Sequence, residues 1–533
     1  MDKFIICLKP LFCLLIFVGV LFRCNTRSNS TLQRTQRPNI LIAIADDQSF
    51  PYASIYGTKG VNTPTFDRVA RDGALFTNAF AAAPQCSPSR AAILTGKNIW
   101  QLEEAGTHAS YFPKIPVFTD VLEESGYHIG YTGKAWGPGD WQTSGWERNP
   151  VGPAFNEYEM KAVPTSGIKV NDYFSNFKAF LEKRSGDQPF FFWYGGHEPH
   201  RGYEYGSGKK SGRPLEEVEV PKFLPDTEVV KNDVNDYAFE IEWFDKHLGK
   251  MLAFLEEKGQ LDNTIVVVTA DNGMPFPYAK ANLQEYGTHV PLAICWPQKI
   301  SSNQVIEELV SLIDLAPTFL DLAELDQLPA TTGKSMAALL FNDDEYVNRK
   351  YVFTGRERHT HARPNNLGYP VRAIHSKEYL YVRNLNPALW PAGDPVDSSW
   401  KEVLSGTKFK GMWPGYHDVD DSPSKMLILD NKEEYTMFFN LAYEKRASEQ
   451  LYHIAIDPFC IDNVISDPKY AEVRKELSIA LESELKAQGD PRMFGRSIFD
   501  SYPRVSSMRE FEGFKERRKY NPEYLEEGQK IIN

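Results

Sequence analysis

Two pairs of polar side chains each follow an apolar, β-branched run of the sequence. Asp46 and Asp47 come after the run 39–45, and Asp271 and Asn272 come after the run 264–269. Open α/β sheets bind their ligands at the carboxyl ends of their strands, so both pairs can lie at one edge of a sheet. Carboxylate and amide oxygens are ligands of hard cations such as calcium and magnesium. Each pair alone is more typical of a polar turn, and two such pairs at one sheet edge strengthen the case for a metal site.

A cysteine begins the next segment that could carry chemistry. The string Cys86-Ser-Pro88-Ser-Arg90 and the following residues to Gly96 are typical of a helix with proline in its first turn. The positive end of the helix dipole and Arg90 would both favour an anion beside Cys86. The alternative is a buried structural cysteine before a helix, which composition alone favours.

The elements that must position these residues predict an α/β fold. Apolar runs alternate with amphipathic stretches from Pro38 onward, as in a mostly parallel sheet covered by helices. After about residue 343 shorter alternating segments predict a smaller antiparallel sheet followed by a helix. The predicted strands are 39–45, 128–132, 190–194, 264–269, 351–354, 379–384 and 426–429, and the predicted helices are 65–72, 232–258 and 470–487.

These patterns divide the 533 residues into one large and one smaller domain. We expect an export signal over residues 1–30, a catalytic α/β domain over 36–345, a C-terminal α+β subdomain over 346–490 and a C-terminal extension over 491–533. The formal net charge of −12 argues against nucleic acid as a partner. An anionic substrate can still bind in a locally basic pocket. The sequence does not indicate an oligomeric state.

The amino terminus has the pattern of an export signal. Lys3 and Lys9 flank the start of an apolar run, 11–22, that is too short to span a bilayer. We therefore expect an exported protein, periplasmic or extracellular, with no transmembrane span in the mature chain. Cys24 is a possible lipid anchor, although Arg23 before it favours soluble export.

The whole string from Cys86 to Gly96 resembles the signature of the type I sulfatases, and the resemblance runs from about residue 38 to 468. It implies an alkaline-phosphatase-like fold with a large mixed, mostly parallel sheet and a smaller C-terminal antiparallel sheet. It also implies that a formylglycine-generating enzyme or an anaerobic sulfatase-maturating enzyme converts Cys86 to formylglycine. The calcium ligands that it implies are Asp46, Asp47, Cys86, Asp271 and Asn272.

The resemblance also assigns roles around the nucleophile. Arg90, Lys134 and Lys280 fall at positions that would surround the sulfuryl oxygens. His197 is the candidate general acid for the departing amine or alcohol, because histidine can hold a proton near neutral pH; the alternative is that it caps its strand. Family members carry a histidine two residues after the active-site lysine, where this chain has Trp136. His200 contacts substrate or takes the place of that histidine.

Longer matches are similar to the heparan sulfamidases within that family. They are Asp271–Pro277 with Lys280, His197–Arg201, Tyr369–Arg372 and Val382–Leu385. They imply a sulfated saccharide as substrate and hydrolysis of the N-sulfate of glucosamine in heparin or heparan sulfate. The alternatives are an O-sulfatase, for example one acting on a 6-O-sulfated amino sugar, a phosphodiesterase of the same superfold, and a catalytically silent glycan-binding protein.

The cluster 356–361 is the candidate for sugar recognition. A loop rich in forked and ring donors suits sulfates and carboxylates, and it is equally typical of a solvated loop with internal ion pairs. The predicted substrate-binding residues are His108, His200, Arg358, His359 and His361.

Overall fold

The computed structural model describes residues 37–343, 347–360, 362–363, 367–395 and 415–505. The predicted export signal and Cys24 lie outside these ranges. Within them, no helix is long and apolar enough to cross a membrane.

The largest sheet among the described residues is mixed and has seven strands in the order β4-β5-β1-β6-β7-β2-β8, and β3 pairs with β9 in a separate two-stranded sheet. β1 pairs in parallel with β5 and β6, and β4 pairs in parallel with β5. The strands are β1 (Asn39–Ala45), β2 (Ala74–Phe76), β3 (Ala79–Phe80), β4 (His128–Gly133), β5 (Phe190–Gly195), β6 (Thr264–Ala270), β7 (Leu292–Cys295), β8 (Gln304–Ile306) and β9 (Val310–Ser311).

The register of the parallel strands aligns their carboxyl ends. Ala45 of β1 is paired with Ala270 of β6, and Gly195 of β5 is paired with both Ile44 and Gly133. Every residue of β1, β5 and β6 is buried. Strands buried on both faces are continuous apolar runs, which is why the sequence predicted them.

Helices cover the sheet. The longest, α6, begins after Thr227, whose side chain accepts a hydrogen bond from the backbone N–H of Val230 and so caps the helix. The helices are α1 (Pro64–Asp72), α2 (Cys86–Thr95), α3 (Phe118–Glu124), α4 (Tyr173–Glu182), α5 (Ser207–Lys210), α6 (Glu228–Glu257), α7 (Glu285–Thr288), α8 (Leu315–Leu322), α9 (Ala337–Leu340), α10 (Pro423–Asp430), α11 (Thr436–Tyr443) and α12 (Ala471–Ala487).

A separate four-stranded antiparallel sheet follows in the chain, in the order β10-β11-β12-β13. Its strands are β10 (Val352–Arg356), β11 (Val371–His375), β12 (Leu380–Asn384) and β13 (Glu449–Tyr452). The predicted fold class, a mixed sheet with helices and a smaller antiparallel sheet, is confirmed. The predicted domain boundary at residue 345 lies outside the described ranges and stays a prediction.

The predicted strand at 426–429 is wrong, because these residues belong to α10. Ser422 accepts a hydrogen bond from the backbone N–H of Lys425, and Pro423 occupies the first turn. Both are signals that begin a helix. A run of four apolar residues does not by itself distinguish a strand from a buried helical segment, and here the cap decides.

Candidate active site

Four neighbouring strands deliver polar side chains to one edge of the large sheet. In the spatial order β4, β5, β1 and β6, the residues that follow the strand ends are Lys134, His197, Asp46 and Asp271. The parallel register explains why residues so distant along the chain meet. The two acidic pairs predicted at strand ends therefore share one site.

Three carboxylates lie together at this edge. One carboxylate oxygen each of Asp46, Asp47 and Asp271 lies within 4.8 Å of the others, and all three residues are buried. The backbone N–H of Asp47 donates to Asp271 Oδ1 at 3.1 Å, and Asn272 Nδ2 donates to Asp47 Oδ1 at 2.7 Å. The four predicted metal ligands of the strand ends thus form one connected group.

Each carboxylate of this group is paired with a cationic side chain. Arg90 Nε lies 2.7 Å from Asp271 Oδ2, and Lys134 Nζ lies 2.6 Å from Asp46 Oδ2. Lys280 Nζ lies 2.5 Å from Asp47 Oδ2. The three predicted sulfate-binding cations therefore surround the acidic cluster, and their charges match those of the three acids.

The donor set fits a hard divalent cation. Among the residues that the structure describes, Asp46 Oδ1 and Asn272 Oδ1 are buried without a hydrogen-bond partner. Buried oxygens of this kind are costly unless a cation or water satisfies them. Four oxygen-bearing side chains favour calcium or magnesium over zinc. A divalent ion would also give the balanced charges a net positive sign, which suits an anionic substrate.

Protonation within the cluster is uneven. Burial raises the pKa of Asp46, but Lys134, His200 and Arg90 together hold it well below its usual range. Burial raises the pKa of Asp271 to about 6, and Asp46 and Asp47 contribute to the increase. The three acids therefore resist carrying three negative charges in so small a space, which is the condition that a bound cation relieves.

Cys86 is the first residue of α2 and is buried beside the acids. Its Sγ lies 3.9 Å from Asp47 Oδ1, and it groups with Asp46 and His200 within 4.8 Å. Burial and then Asp46 raise the pKa of the thiol well above its ordinary value. The helix end and Arg90 predicted the opposite effect, but the nearby carboxylates outweigh them. An unmodified thiol here stays protonated at neutral pH and is a poor nucleophile.

Two histidines follow β5 toward the cluster. Burial lowers the pKa of His197 to about 4, although Asp46 opposes this, so the ring is neutral at pH 7. His200 Nδ1 lies 2.6 Å from the carbonyl oxygen of Arg201 and must donate to it. Its Nε2 lies 3.9 Å from Asp47 Oδ2. His200 therefore turns Nε2 toward the site that also contains Cys86.

Trp136 occupies the position at which the family resemblance implies a histidine. Its indole N–H donates to the carbonyl oxygen of Ser87 at 3.1 Å, and its ring packs edge to face against Phe112. The side chain is buried and supports the start of α2 rather than offering a proton. His200, by contrast, has a ring nitrogen within 4.8 Å of the Cys86 sulfur.

Residues 356–360 of the predicted sugar-binding cluster are buried and do not form the solvated loop of the alternative interpretation. Arg358 donates to the carbonyl oxygens of Tyr502 and Pro503 and to Thr107 Oγ1, so its fork fastens the C-terminal segment. His361 lies outside the described residues. Internal contacts thus occupy the predicted sulfate-binding fork of Arg358.

The other two predicted sugar-binding histidines lie side by side. The His108 and His359 rings are 4.6 Å apart. Burial lowers the pKa of His359 to about 3 and that of His108 well below its ordinary value, so both rings are neutral at pH 7. A neutral ring can donate a hydrogen bond to a sugar hydroxyl group or accept one from it, but it does not attract a sulfate by charge.

One acidic residue at the site was missed by the sequence analysis. Asp420 Oδ2 lies 3.8 Å from Lys280 Nζ. The only signal was the acid-rich run 417–421 in a stretch without clear periodicity. Such runs are common on solvated loops, so no sequence pattern places this one beside Lys280.

Comparison with known protein families identifies the family of the chain. A family model described as Sulfatase matches residues 38–325, which is more than half of the chain. The chain belongs to the sulfatase family. A second model, described as N-sulphoglucosamine sulphohydrolase, C-terminal, matches residues 277–384. The predicted resemblance and the predicted hydrolase class are thereby confirmed.

Individual sulfatases are similar over most of their length. The human N-sulphoglucosamine sulphohydrolase is 28% identical and covers 88% of this chain and 92% of its own. An ulvan-active sulfatase of Formosa agariphila is 27% identical and covers 87% of this chain and 84% of its own. A structure solved in complex with its substrate D-glucosamine-2-N,6-O-disulfate has a TM-score of 0.59 at 20% identity and covers 85% of this chain and 98% of its own. The last similarity concerns the fold.

Proposed function

We propose that this sulfatase hydrolyses the N-sulfate group of glucosamine in saccharides derived from heparin or heparan sulfate. The observation that supports it best is the similarity to human N-sulphoglucosamine sulphohydrolase over 88% of the chain. The second family model adds support, because it is described as N-sulphoglucosamine sulphohydrolase, C-terminal, and its range 277–384 contains Lys280. The site offers what such an anionic substrate needs, which is three buried cations around one nucleophile position.

Cleavage of an O-sulfate ester is the second candidate. An N-acetylglucosamine-6-O-sulfatase of Bacteroides thetaiotaomicron is 24% identical over 59% of this chain. The same cations can bind a sulfuryl group attached through nitrogen or oxygen, so the catalytic centre does not separate the two reactions.

We propose that Cys86 is converted to formylglycine by a maturation enzyme and that calcium is held by Asp46, Asp47, Asp271 and Asn272 beside residue 86. These groups would supply an oxygen nucleophile of lowered pKa and a Lewis acid. The protonated state of the unmodified thiol supports this proposal, since the thiol itself is a weak nucleophile.

The cations of the chain bind and orient the sulfuryl group. Arg90, Lys134 and Lys280 each hold a carboxylate oxygen of the cluster. If a divalent cation were held by these carboxylates, N–H groups of Arg90, Lys134 and Lys280 would become available to the substrate. Such donors stabilise the charge on sulfuryl oxygens in the transition state, as in phosphoryl transfer.

His197 protonates the leaving amine. With a pKa lowered to about 4 it carries no extra proton at pH 7, and the negative charge of a bound sulfamate raises that pKa. The ring then takes up a proton and delivers it to the nitrogen as the S–N bond breaks, so that the amine leaves neutral. His200 faces residue 86 and is the proposed partner for the proton of the nucleophile.

The decisive assay compares glucosamine N-sulfate with its 6-O-sulfated and 3-O-sulfated isomers. We expect kcat/KM for the N-sulfate to exceed that for each isomer. Absence of turnover on the N-sulfate, with turnover on an isomer, would make the O-sulfatase the correct assignment. Mass spectrometry of the peptide that contains Cys86, from protein made with its maturation enzyme, tests the nucleophile; an unmodified thiol in active protein would refute it.

We further propose that residues 1–30 direct export to the periplasm or the extracellular space, and that the domain limits are 36–345, 346–490 and 491–533. The limit near 345 falls between the strands of the seven-stranded sheet and those of the four-stranded sheet, which supports it. Amino-terminal sequencing of the mature protein tests the export signal, because retention of residue 1 would refute its removal.

A further inference from the structure

Residues 415–421 form a loop of the C-terminal region that reaches the active site, here called the acidic loop. Its Asp420 Oδ2 lies 3.8 Å from Lys280 Nζ, and the same Nζ lies 2.5 Å from Asp47 Oδ2. Lys280 thus stands between the proposed metal ligands and the acidic loop. A sulfuryl group bound to Lys280 brings the atoms attached to it close to Asp420.

One side of the acidic loop is fixed by Asp418. Its carboxylate accepts from Arg356 at 2.7 Å and from Arg363 at 2.6 Å. It also accepts from the backbone N–H and the hydroxyl of Thr360, at 3.0 and 2.9 Å. All four residues are buried, so these contacts are protected from solvent and hold the loop in one conformation.

The other side of the acidic loop is fixed by Lys425 at the start of α10. Its buried ammonium group donates to the carbonyl oxygens of Tyr416 and Val419, at 3.2 and 2.8 Å, and to Asp421 Oδ1 at 2.8 Å. An ammonium group has three donors, and all three are used within this one loop. The position of Asp420 is therefore set before a substrate binds.

Asp420 differs from its buried neighbour Asp418 in exposure. The Asp420 side chain is 20% exposed, whereas that of Asp418 is 0% exposed. A carboxylate that is rigidly held, partly open and next to a sulfate-binding lysine cannot bind the sulfate itself, because like charges repel. It can accept hydrogen bonds from hydroxyl groups, and sugars present these beside the sulfated atom.

We propose that Asp420 is a substrate-binding residue that accepts a hydrogen bond from a sugar hydroxyl group next to the reacting sulfate. Asp420 thereby distinguishes sugar sulfates from sulfates that lack such a hydroxyl. This inference rests on the proposed function only in that the substrate is a sulfated sugar.

The test compares kcat/KM for a sugar sulfate and for 4-nitrophenyl sulfate in the wild type, Asp420→Asn and Asp420→Ala. The sugar sulfate is the glucosamine sulfate isomer that the wild type turns over fastest. Loss of a hydrogen bond to a charged acceptor costs about 10- to 100-fold in affinity. We expect the ratio of the two kcat/KM values to fall at least tenfold in both variants. An unchanged ratio would show that Asp420 does not recognise the sugar.

Asp421→Asn is the matched control. Asp421 lies in the same loop, is 22% exposed and bonds to Lys425 rather than approaching Lys280, and asparagine keeps an Oδ1 that can accept from Lys425 and hold the loop in place. The control should keep the wild-type ratio, and a fall as large as that of Asp420→Asn would assign the effect to disturbance of the loop and overturn the proposal. The melting temperatures of Asp420→Asn and Asp421→Asn are measured to compare how much each substitution destabilises the protein.

Deoxygenated substrates identify the hydroxyl group. Monosaccharides that lack one hydroxyl each, at carbon 3, 4 or 6, are assayed with the wild type and Asp420→Asn. One of these substrates should react more slowly than its parent compound with the wild type, but no more slowly than its parent compound with the variant. If every deoxygenation acts equally in both proteins, no hydroxyl group is coupled to Asp420, and the inference fails. The wild-type isomer assay reports separately on the proposed N-sulfate specificity.

Discussion

The acidic loop gives a sharp prediction about stability. Asp418→Asn keeps the shape of the side chain and removes the charge that Arg356 and Arg363 share in a buried site. Removing one member of a buried ion pair costs about 3–5 kcal/mol, mainly because the remaining charge is left uncompensated. Two arginines are left here, so the upper part of that range is expected. For comparison, Asp421→Asn keeps an oxygen acceptor for the buried Lys425 ammonium group at a side chain that is 22% exposed, so it should cost less than Asp418→Asn.

Unfolding in urea monitored by tryptophan fluorescence measures this difference, with both variants analysed beside the wild type. The pKa of Asp418 lies well below its usual range, because Arg363 and Arg356 outweigh the effect of burial. A lowered folded-state pKa contributes stability above the unfolded pKa of about 4, and that stability is lost as pH falls. The gap between wild type and Asp418→Asn should therefore narrow below about pH 4. An Asp418→Asn protein as stable as Asp421→Asn at pH 7 would refute the reasoning.

Three further predictions concern catalysis. Cys86→Ala should abolish turnover without lowering the melting temperature by more than a few degrees, and retained activity would contradict the proposed nucleophile. His197→Gln should lower kcat about 10²- to 10⁴-fold on the sulfamate and less on 4-nitrophenyl sulfate, whose leaving group needs no proton; equal losses would rule out the general acid. Calcium affinity measured by calorimetry should weaken below about pH 6, because the pKa of Asp271 is raised to about 6 and its proton competes with the metal; a flat profile from pH 5 to 7 would exclude Asp271 as a ligand.

The sequence predicted the central strands of the large sheet because strands that are buried on both faces consist mainly of apolar residues. The runs that became β1, β5 and β6 are mostly apolar, and β1 and β6 are each followed directly by an aspartate. By contrast β2, β7 and β8 have only three or four residues. Segments of that length show no periodicity, and their pairing at the sheet edge depends on contacts from distant parts of the chain.

The sequence predicted most residues of the candidate site but not the electrostatic environment around Cys86. Cys86 lies at a helix start next to Arg90, which suggested an electropositive site. Its thiol pKa is nevertheless raised, because burial and Asp46, which is brought in by another strand, act in the other direction. In the same way the sequence predicted that Arg358 binds sulfate, whereas in the structure its guanidinium group donates to the carbonyl oxygens of Tyr502 and Pro503. The electrostatic potential at Cys86 and the acceptors of the Arg358 guanidinium group both depend on residues that only the fold brings together.

The charges of the site explain how an acidic protein can act on an anionic substrate. The chain carries a formal charge of −12, so long-range attraction does not bring sulfated saccharides to it. Within the site, Arg90, Lys134 and Lys280 are each balanced by one carboxylate, and these six groups have no net charge when all are ionised. Two further positive charges from a bound divalent cation would therefore decide the sign of the field that the substrate meets. Affinity for a sulfate should then depend on calcium far more than on surface charge, and by linkage sulfate should raise the affinity for calcium by the same factor.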